Sequence, residues 1–369
     1  MSAIRVAQVV GKMNGGGVEA VVMNYYRHID REKVQFDFLI DADSTLVPRE
    51  EIEALGGRVI EIPPYQKVVD YHKTLVRVLR ENQYQIVHSH INTLSVFPLF
   101  AARRAGIPVR IAHSHSTAGK GETVRNLMKY TLRPFSKVFA THYCACSRYA
   151  GEWLFGKKAI QQGKVQLLRN AIALERFLFN EEIRAEVRKE LGLDAELVIG
   201  HVGRFMNQKN HKFLIEIFAE LLKVEPHAVL LLVGEGELQD EIKALVQEKG
   251  IADQVRFLGQ RSDVNRLYQA MDLLLFPSFY EGLSVVCVEA QAAGLPCLLS
   301  DAVSEETKLT ECAHFFPLSA PAIHWAERVL ELARENERGC MLEQMQQAGF
   351  EIGAAAVELE SLYFNSLKS

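Results

Sequence analysis

Apolar runs of strand length alternate with segments of helical periodicity along almost the whole chain. In the first half, apolar residues recur at helical spacing in 18–28, 71–81, 94–105 and 124–132. Strands that are apolar on both faces and are separated by helices form parallel sheets covered by helices on each side. The predicted strands of this half are 4–10, 34–40, 58–62, 86–90, 109–113, 138–146 and 165–168.

The pattern restarts after a looser, charged stretch at 171–194. The predicted strands of the second half are 198–203, 228–233, 255–258, 272–276, 297–300 and 314–316. A length of 369 residues fits two domains. We therefore predict two doubly wound, Rossmann-like α/β domains, 1–172 and 173–353. An amphipathic C-terminal helix within 354–369 is expected to cross back onto the first domain.

Composition and charge limit the classes of function. No apolar stretch approaches the ~20 residues of a membrane span, and the N-terminus predicts a strand and a glycine turn rather than a signal peptide. Six cysteines without zinc-like spacing indicate reduced thiols, so we expect a cytoplasmic protein. Residues 1–172 hold 24 basic and 14 acidic side chains, a net charge of +10, whereas the rest hold 18 and 32, a net of −14. The first half is therefore expected to meet an anionic partner, although nothing predicts nucleic-acid binding.

Two carboxylates flank a predicted strand-to-helix junction in the second half. Glu281 follows the apolar run 271–276, and Glu289 comes eight residues later, inside a helical pattern. Between them, the backbone N–H groups of Gly282, Leu283 and Ser284 are predicted to form the anion-binding start of a helix. One carboxylate can then accept sugar hydroxyls and the other can reach a ribose, which is the chemistry of a nucleotide-sugar site. The alternative is a surface loop with two solvated glutamates.

Other polar residues also follow predicted strands, where ligands of such sheets bind. Arg204 and Lys209 follow the first strand of the second half, and a guanidinium with an ammonium suits a diphosphate. Backbone near Gly259 is placed to meet a nucleotide base. In the first half, Gly16 and Gly17 belong to a glycine turn that lets backbone approach an anion or a sugar.

Two histidine pairs end neighbouring strands of the first half. His113 and His115 share a strand face and are expected to point together into a cleft, where they can hydrogen-bond sugar hydroxyls. His88 and His90 are either structural or on the acceptor side. The sequence offers no third ligand of suitable spacing, so no metal site is predicted. The acidic pair at 41 and 43 is rejected as a metal site because it lies far in sequence from the donor residues.

The motifs GGGVE (15–19), GRFMNQKN (203–210), VGEGE (233–237), VRFLG (255–259) and FPSFYEGLSVVCVEA (276–290) together resemble the retaining glycosyltransferases of family 4. The segment HSHS (113–116) and the length are closest to the capsular and exopolysaccharide branch. The resemblance implies the GT-B fold, in which two Rossmann-like domains face each other across a central cleft, with the acceptor on the first domain and the donor on the second. One departure is Asn170-Ala171-Ile172-Ala173, where the family usually has Asn-Gly-Ile-Asp.

By position, the resemblance implies that Arg204 and Lys209 hold the donor diphosphate, that Glu281 binds the donor sugar and that Glu289 binds the ribose. One of His113 and His115 would contact the sugar. The implied enzyme is a retaining, metal-independent hexosyltransferase without a cofactor, and the resemblance favours a UDP-sugar donor. The implied acceptor is a glycan or a polyprenyl-diphosphate-linked glycan. Two alternatives are a nucleotide-sugar 2-epimerase of the same fold and a non-catalytic two-domain binding protein.

A basic helical segment in the first half suggests a location for the enzyme. Arg125, Lys129 and Arg133 recur every four residues and would share one helix face beside apolar side chains. Either this is a solvated face packed on the sheet, or it approaches an anionic membrane surface. The second interpretation predicts peripheral attachment at the inner face of the cell membrane.

Overall fold

The computed structural model of the chain describes residues 3–116, 123–193, 196–335 and 338–368, except for the side chains of 123–125. The chain divides into two compact units. Unit 1 comprises Met1–Ile172 and Gly349–Ser369, and unit 2 comprises Ala173–Ala348. None of the helices within the described ranges is long and apolar enough to cross a membrane.

Unit 1 is built on a seven-stranded sheet in which every pairing is parallel. Its strands are β1 Ile4–Gly11, β2 Val34–Asp41, β3 Arg58–Ile62, β4 Ile86–Ser89, β5 Val109–Ser114, β6 His142–Ala145 and β7 Val165–Leu167, in the order β3-β2-β1-β4-β5-β6-β7. The α-helices between them are α1 Gly17–His28, α2 Arg49–Ala54, α3 Val68–Glu81, α4 Val96–Ala105, α5 Thr123–Leu132, α6 Arg148–Phe155 and α7 Lys157–Gln161.

Unit 2 repeats the plan with a six-stranded parallel sheet in the order β10-β9-β8-β11-β12-β13. Its strands are β8 Val198–Val202, β9 Val229–Val233, β10 Val255–Gly259, β11 Leu273–Phe276, β12 Cys297–Ser300 and β13 Ala313–Phe316. Its helices are α8 Glu181–Glu190, α9 His211–Leu221, α10 Gln239–Glu248, α11 Val264–Ala270, α12 Val285–Ala292, α13 Ala322–Glu335 and α14 Leu342–Gln347. The predicted class of two doubly wound parallel-sheet units is confirmed.

The strand order of each sheet determines where its polar loops meet. In unit 2 the order reverses between β8 and β11, which pair directly through Ile199 and Leu273. The loops that follow these two strands, 203–210 and 277–284, are therefore neighbours at the carboxyl edge of the sheet. In unit 1 the equivalent reversal lies between β1 and β4. Ligands of open α/β sheets bind at such switch points, so each unit has a defined candidate edge.

The last helix, α15 Ile352–Ser366, belongs to unit 1 although it follows unit 2 in sequence. It lies against α1, and its side chains Leu359, Leu362 and Tyr363 are buried. Tyr363 is fully buried and reaches the carboxyl half of the sheet, where its hydroxyl accepts a hydrogen bond from Gln8 of β1. The C-terminal segment thus contributes a polar side chain to the core of unit 1.

One predicted strand is too long. The apolar run 138–146 forms a strand only from His142 to Ala145, because a 3₁₀ turn at Arg133–Phe135 precedes it. The chain turns again at Val138, whose N–H donates to the carbonyl of Phe135. Val138 is 52% exposed, so this apolar side chain lies on the surface and not in the sheet.

Candidate active site

The loop between β11 and α12 carries Glu281, and two hydrogen bonds hold its backbone there. The carbonyl of Glu281 accepts from the N–H of Ser304, and the carbonyl of Tyr280 accepts from the side chain of Gln208. The helix that follows starts later than predicted, because Ser284 is its N-cap and Val285 its first residue. Gly282 and Leu283 therefore belong to the loop, and the first-turn N–H groups of the helix are those of residues 284–287.

Lys209 and Glu281 form a partly buried ion pair. The Nζ–Oε1 distance is 2.7 Å, and the two side chains are only 13% and 11% exposed. The ammonium also lies 4.4 Å from the centre of the Phe276 ring, which favours a cation over its face. The ammonium occupies only part of the accepting capacity of the Glu281 carboxylate, whose two oxygens have about four lone pairs. The carboxylate therefore keeps hydrogen-bonding capacity beside a fixed positive charge.

Arg204 lies near the start of the loop 203–210 that follows β8. It is exposed, and its guanidinium has no ion-pair or hydrogen-bond partner within the described part of the chain. Its backbone is held by the turn after β9, since the N–H of Phe205 donates to the carbonyl of Glu235. Gly234 adopts φ +130°, and a Cβ there would lie 2.3 Å from the carbonyl oxygen of Gly203. The VGEGE motif thus contributes close backbone packing beneath Arg204.

Glu289 lies on α12, and its carboxylate Oε2 accepts a hydrogen bond of 3.0 Å from the hydroxyl of Tyr268. Tyr268 is fully buried on α11. Burial raises the pKa of the Glu289 carboxyl to about 7, and the Tyr268 bond and the nearby charge of Arg176 offset this only in part. Glu289 is therefore held in position and is poised to change its charge near neutral pH.

The remaining predicted donor contacts lie on glycines. Gly259 ends β10 with φ +64°, and its carbonyl accepts from the N–H of Gly234. In unit 1, Gly16 is the N-cap of α1 and Gly17 its first residue. The carboxylate of Glu19 turns back to accept from the N–H groups of Asn14 (3.0 Å) and Gly16 (2.8 Å). An internal carboxylate therefore already uses donors of the glycine turn.

Four histidines, one in each of β4 and β5 and one just after each strand, gather in one buried cluster in unit 1. His88 Nε2 lies 3.1 Å from His113 Nδ1, and His90 Nδ1 lies 2.9 Å from His115 Nε2. His113 and His115 do point the same way, with ring centres 3.9 Å apart, and they are only 2% and 7% exposed. The expectation that no third metal ligand accompanies them was wrong, since His88, His90 and His113 bring one nitrogen each to within 4.8 Å of one another.

The basic segment is only partly a helix. The side chain of Arg125 lies outside the described residues, and Lys129 lies in the last turn of α5. Arg133 follows the helix as the first residue of a 3₁₀ turn, because Pro134 ends the helical hydrogen bonding. Its guanidinium lies 5.5 Å from the Trp153 ring centre. The predicted single helix face is therefore wrong for Arg133, which lies in the 3₁₀ turn after α5.

Sequence reasoning missed the residues that hold the predicted ones in place. Tyr268 supports Glu289 from another helix, and Tyr363 joins the histidine cluster from the far end of the chain. His201 and His211 form a further buried pair next to Lys209, with ring centres 4.7 Å apart. No local spacing signals these contacts, since the two partners of each contact lie in different elements. In a sequence, a single tyrosine beside apolar residues looks the same whether it only fills the core or also holds a polar side chain in place.

Two sequence models of known families match the chain. "Glycosyltransferase Family 4" matches residues 15–176, and "Glycosyl transferases group 1" matches residues 183–315. Together they cover most of both units, including the polar loops described above.

Curated relatives agree with these matches. The chain is 37% identical to the "Putative glycosyltransferase EpsF" of Bacillus subtilis, over 94% of this chain and 93% of that one. It is 28% identical to an Escherichia coli "UDP-Gal:alpha-D-GlcNAc-diphosphoundecaprenol alpha-1,3-galactosyltransferase", over 62% and 60%. It is 22% identical to the "Capsular polysaccharide biosynthesis glycosyltransferase CapH" of Staphylococcus aureus, over 98% and 99%.

Among solved structures, Anabaena Alr3699/HepE in complex with UDP and glucose matches with a TM-score of 0.76 and 18% identity, over 99% of this chain and all of that one. At that identity the likeness shows the fold, which is GT-B, as predicted.

Proposed function

Because this chain belongs to the glycosyltransferases of family 4, we propose that it transfers a sugar from a UDP-sugar, with retention of configuration and without a metal ion, during assembly of a surface polysaccharide. The observation that carries this proposal is the Lys209–Glu281 ion pair beside the start of α12. The pair combines a cation for a phosphate with a carboxylate for sugar hydroxyls.

The donor binds to unit 2 in this proposal. The diphosphate is held by Arg204, by Lys209 and by the first-turn N–H groups of α12, because a helix N-terminus favours an anion. The exposed guanidinium of Arg204 has no competing partner among the described residues. Glu281 accepts hydroxyls of the transferred sugar, Glu289 accepts those of the ribose and the backbone at Gly259 meets the base. The UDP complexes of a protein of the same fold support UDP as the nucleotide.

The proposed reaction separates charge at the donor. The bond between the anomeric carbon and the β-phosphate oxygen breaks, and its electron pair leaves with UDP. Arg204, Lys209 and the helix N-terminus stabilise this developing negative charge, which is the step that electrostatic catalysis accelerates most. The acceptor hydroxyl forms the new bond on the same face of the sugar and gives its proton to the leaving phosphate oxygen. That route needs no covalent enzyme nucleophile.

The proposed acceptor is a polyprenyl-diphosphate-linked glycan on unit 1. The Escherichia coli relative is named for a diphosphoundecaprenol substrate, and unit 1 contains the excess of basic residues. Apolar side chains accompany the basic ones, since Leu127, Tyr130, Phe135 and Val138 are 70%, 54%, 51% and 52% exposed. A surface with exposed aromatic and basic side chains suits peripheral attachment to an anionic membrane.

The experiment that tests the proposal measures UDP release by purified enzyme from a panel of UDP-sugars, with and without a polyprenyl-diphosphate-linked acceptor. We expect release that depends on the acceptor and an NMR coupling constant in the product that matches the donor's anomeric configuration. Release of free UDP without acceptor, together with a 2-epimerised sugar, would instead identify an epimerase. Binding without turnover of any donor would identify a binding protein.

A further inference from the structure

The four-histidine cluster of His88, His90, His113 and His115 is connected to two other buried side chains. Gln8, from β1, lies at one end, and Tyr363, from α15, lies beside it. Gln8 is 1% exposed and Tyr363 is fully buried. The connecting distances are 2.9 Å from Gln8 Nε2 to the Tyr363 hydroxyl, 2.9 Å from that hydroxyl to His88 Nδ1, and 2.8 Å from Gln8 Oε1 to His90 Nε2.

The rings of this cluster are neutral. Burial lowers the pKa of every ring in it, to about 3 for His88 and His115. A neutral imidazole has one N–H and one bare nitrogen, so the hydrogen bond at one nitrogen decides the role of the other. The direction of hydrogen bonding can therefore be followed from Gln8, whose amide nitrogen only donates and whose oxygen only accepts.

The first branch runs through Tyr363. Its hydroxyl accepts from Gln8 Nε2 and so donates its own proton to His88 Nδ1. His88 must then have its proton on Nε2, from which it donates to His113 Nδ1. His113 is left with an N–H at Nε2. That atom is buried and has no partner among the described residues.

The second branch runs through His90. Gln8 Oε1 accepts from His90 Nε2–H, so His90 Nδ1 is bare and accepts from His115 Nε2–H. His115 is left with a bare Nδ1, which is also buried and without a partner in the described ranges. The two branches therefore end in opposite atoms, a donor on His113 and an acceptor on His115.

We propose that Gln8 and Tyr363 are positioning residues that hold this cluster in a single pattern of tautomers, so that His113 can only donate a hydrogen bond to a hydroxyl-bearing substrate and His115 can only accept one. This inference rests on the proposed transfer reaction for the identity of the substrate, but the hydrogen-bond pattern itself belongs to the protein alone. A metal ion is the competing occupant of the cluster. Both ring nitrogens of His88 and of His90 already have hydrogen-bond partners, which favours the network without a metal.

The test is a substitution that reverses one branch only. In Gln8→Glu, studied at alkaline pH so that a carboxyl whose pKa is raised by burial is ionised, both carboxylate oxygens accept. Tyr363 must then donate to residue 8 and accept from His88. His88 and His113 are then expected to move their protons to Nδ1, while His90 and His115 keep theirs on Nε2. Long-range ¹H–¹⁵N correlation spectra of ¹⁵N-histidine-labelled enzyme distinguish the two tautomers of each ring.

Two further variants keep the test decisive. Tyr363→Phe added to Gln8→Glu removes the link and should leave His88 and His113 without the switch. Tyr363→Phe alone should leave those two rings as a mixture of tautomers, and this variant replaces Gln8→Glu in the test if Gln8→Glu does not fold. Tyr26→Phe is the matched control, because Tyr26 is equally buried in unit 1 and its hydroxyl bonds Gln35 instead.

The outcomes separate this inference from the proposed reaction. A switch confined to His88 and His113, with kcat reduced and UDP affinity unchanged, supports the positioning role. No switch in Gln8→Glu, a switch in all four rings, or one equivalent of bound zinc in the purified wild-type protein overturns it. Absence of sugar transfer by the wild type would contradict the proposed function and leave the tautomer measurement intact.

Discussion

At the scale of single residues, the ion pair of Lys209 and Glu281 brings together two side chains that lie 72 positions apart in the sequence. Each is only slightly exposed, so their attraction is weakly screened by solvent. Because the ammonium occupies only part of the accepting capacity of the Glu281 carboxylate, the group can still accept from a hydroxyl. A polar ligand that reaches this pair is therefore met by charge and by hydrogen-bonding capacity together.

We predict that Glu281→Ala lowers kcat by about 10²–10³-fold, because hydrogen bonds that strengthen in the transition state commonly contribute that much. The measurement is steady-state UDP release in the presence of acceptor. Glu305→Ala is the matched control, since Glu305 is an exposed carboxylate shortly after Val303, the bridge partner of Glu281. Near wild-type turnover in Glu281→Ala, with the control also active, would remove Glu281 from the site.

A second prediction concerns pH and Glu289. Its pKa is raised to about 7, so the carboxylate that we propose to accept ribose hydroxyls becomes protonated as the pH falls through neutrality. The donor KM should therefore rise as pH falls below about 7, approaching tenfold per pH unit. The Tyr268 hydrogen bond lowers this pKa, so Tyr268→Phe should move the limb to higher pH. A Glu289→Gln variant that keeps the same pH limb would exclude Glu289 as its origin.

The stability of the protein should respond to the same group in the opposite direction. Glu289 has a folded-state pKa above its unfolded value of 4.5, so the unfolded state releases this proton first. The contribution of Glu289 to the free energy of unfolding is therefore highest below pH 4.5 and is lost as pH rises toward 7.

At the scale of elements, the local sequence predicts the ends of strands better than it predicts the first residues of helices. The strands 58–62 and 297–300 match the structure because Pro63 and Pro64 stop the first run and the second ends at the polar Ser300. The sequence predicts the start of α12 about two residues early, because Leu283 is apolar like a core-facing helix residue although it precedes the N-cap. The shape of the 133–141 turn depends on Pro134 and on the exposure of Val138, which periodicity alone does not weigh.

The element for which we predict a membrane contact is α5 with its following turn. Reversing three charges in Arg125/Lys129/Arg133→Glu should abolish binding to anionic vesicles, because each basic residue near such a surface contributes about 1 kcal/mol. Co-sedimentation with phosphatidylserine-containing and with neutral vesicles measures this, at low and high salt. Lys157/Lys158/Lys164→Glu is the matched control, since it makes the same charge change on exposed lysines of unit 1. Equal binding of both variants would contradict the assignment of α5.

For the molecule as a whole, the doubly wound class could be predicted because buried parallel strands are recognised from local apolar runs, whichever strands they pair with. The proximity of Lys209 and Glu281 could be predicted for a related reason, since both follow strands and the loops after β8 and β11 are neighbours in the sheet. The histidine cluster could not. The direction of its hydrogen bonds depends on Tyr363, 250 positions beyond His113. Its burial is a property of the packed unit rather than of any single strand.

Metal independence is the last prediction and concerns the complete enzyme. If Arg204, Lys209 and the α12 N-terminus together offset the charge of the leaving diphosphate, a divalent cation has no remaining task there. UDP release should then be unchanged in excess EDTA and should change less than about twofold when Mg²⁺ or Mn²⁺ is added. Arg204→Ala should lower kcat by about 10²–10³-fold, because it removes one part of that charge compensation, and the residual activity should stay insensitive to EDTA. Complete loss of wild-type activity in EDTA, restored by Mg²⁺ or Mn²⁺, would show instead that a metal ion does the work assigned here to cationic side chains.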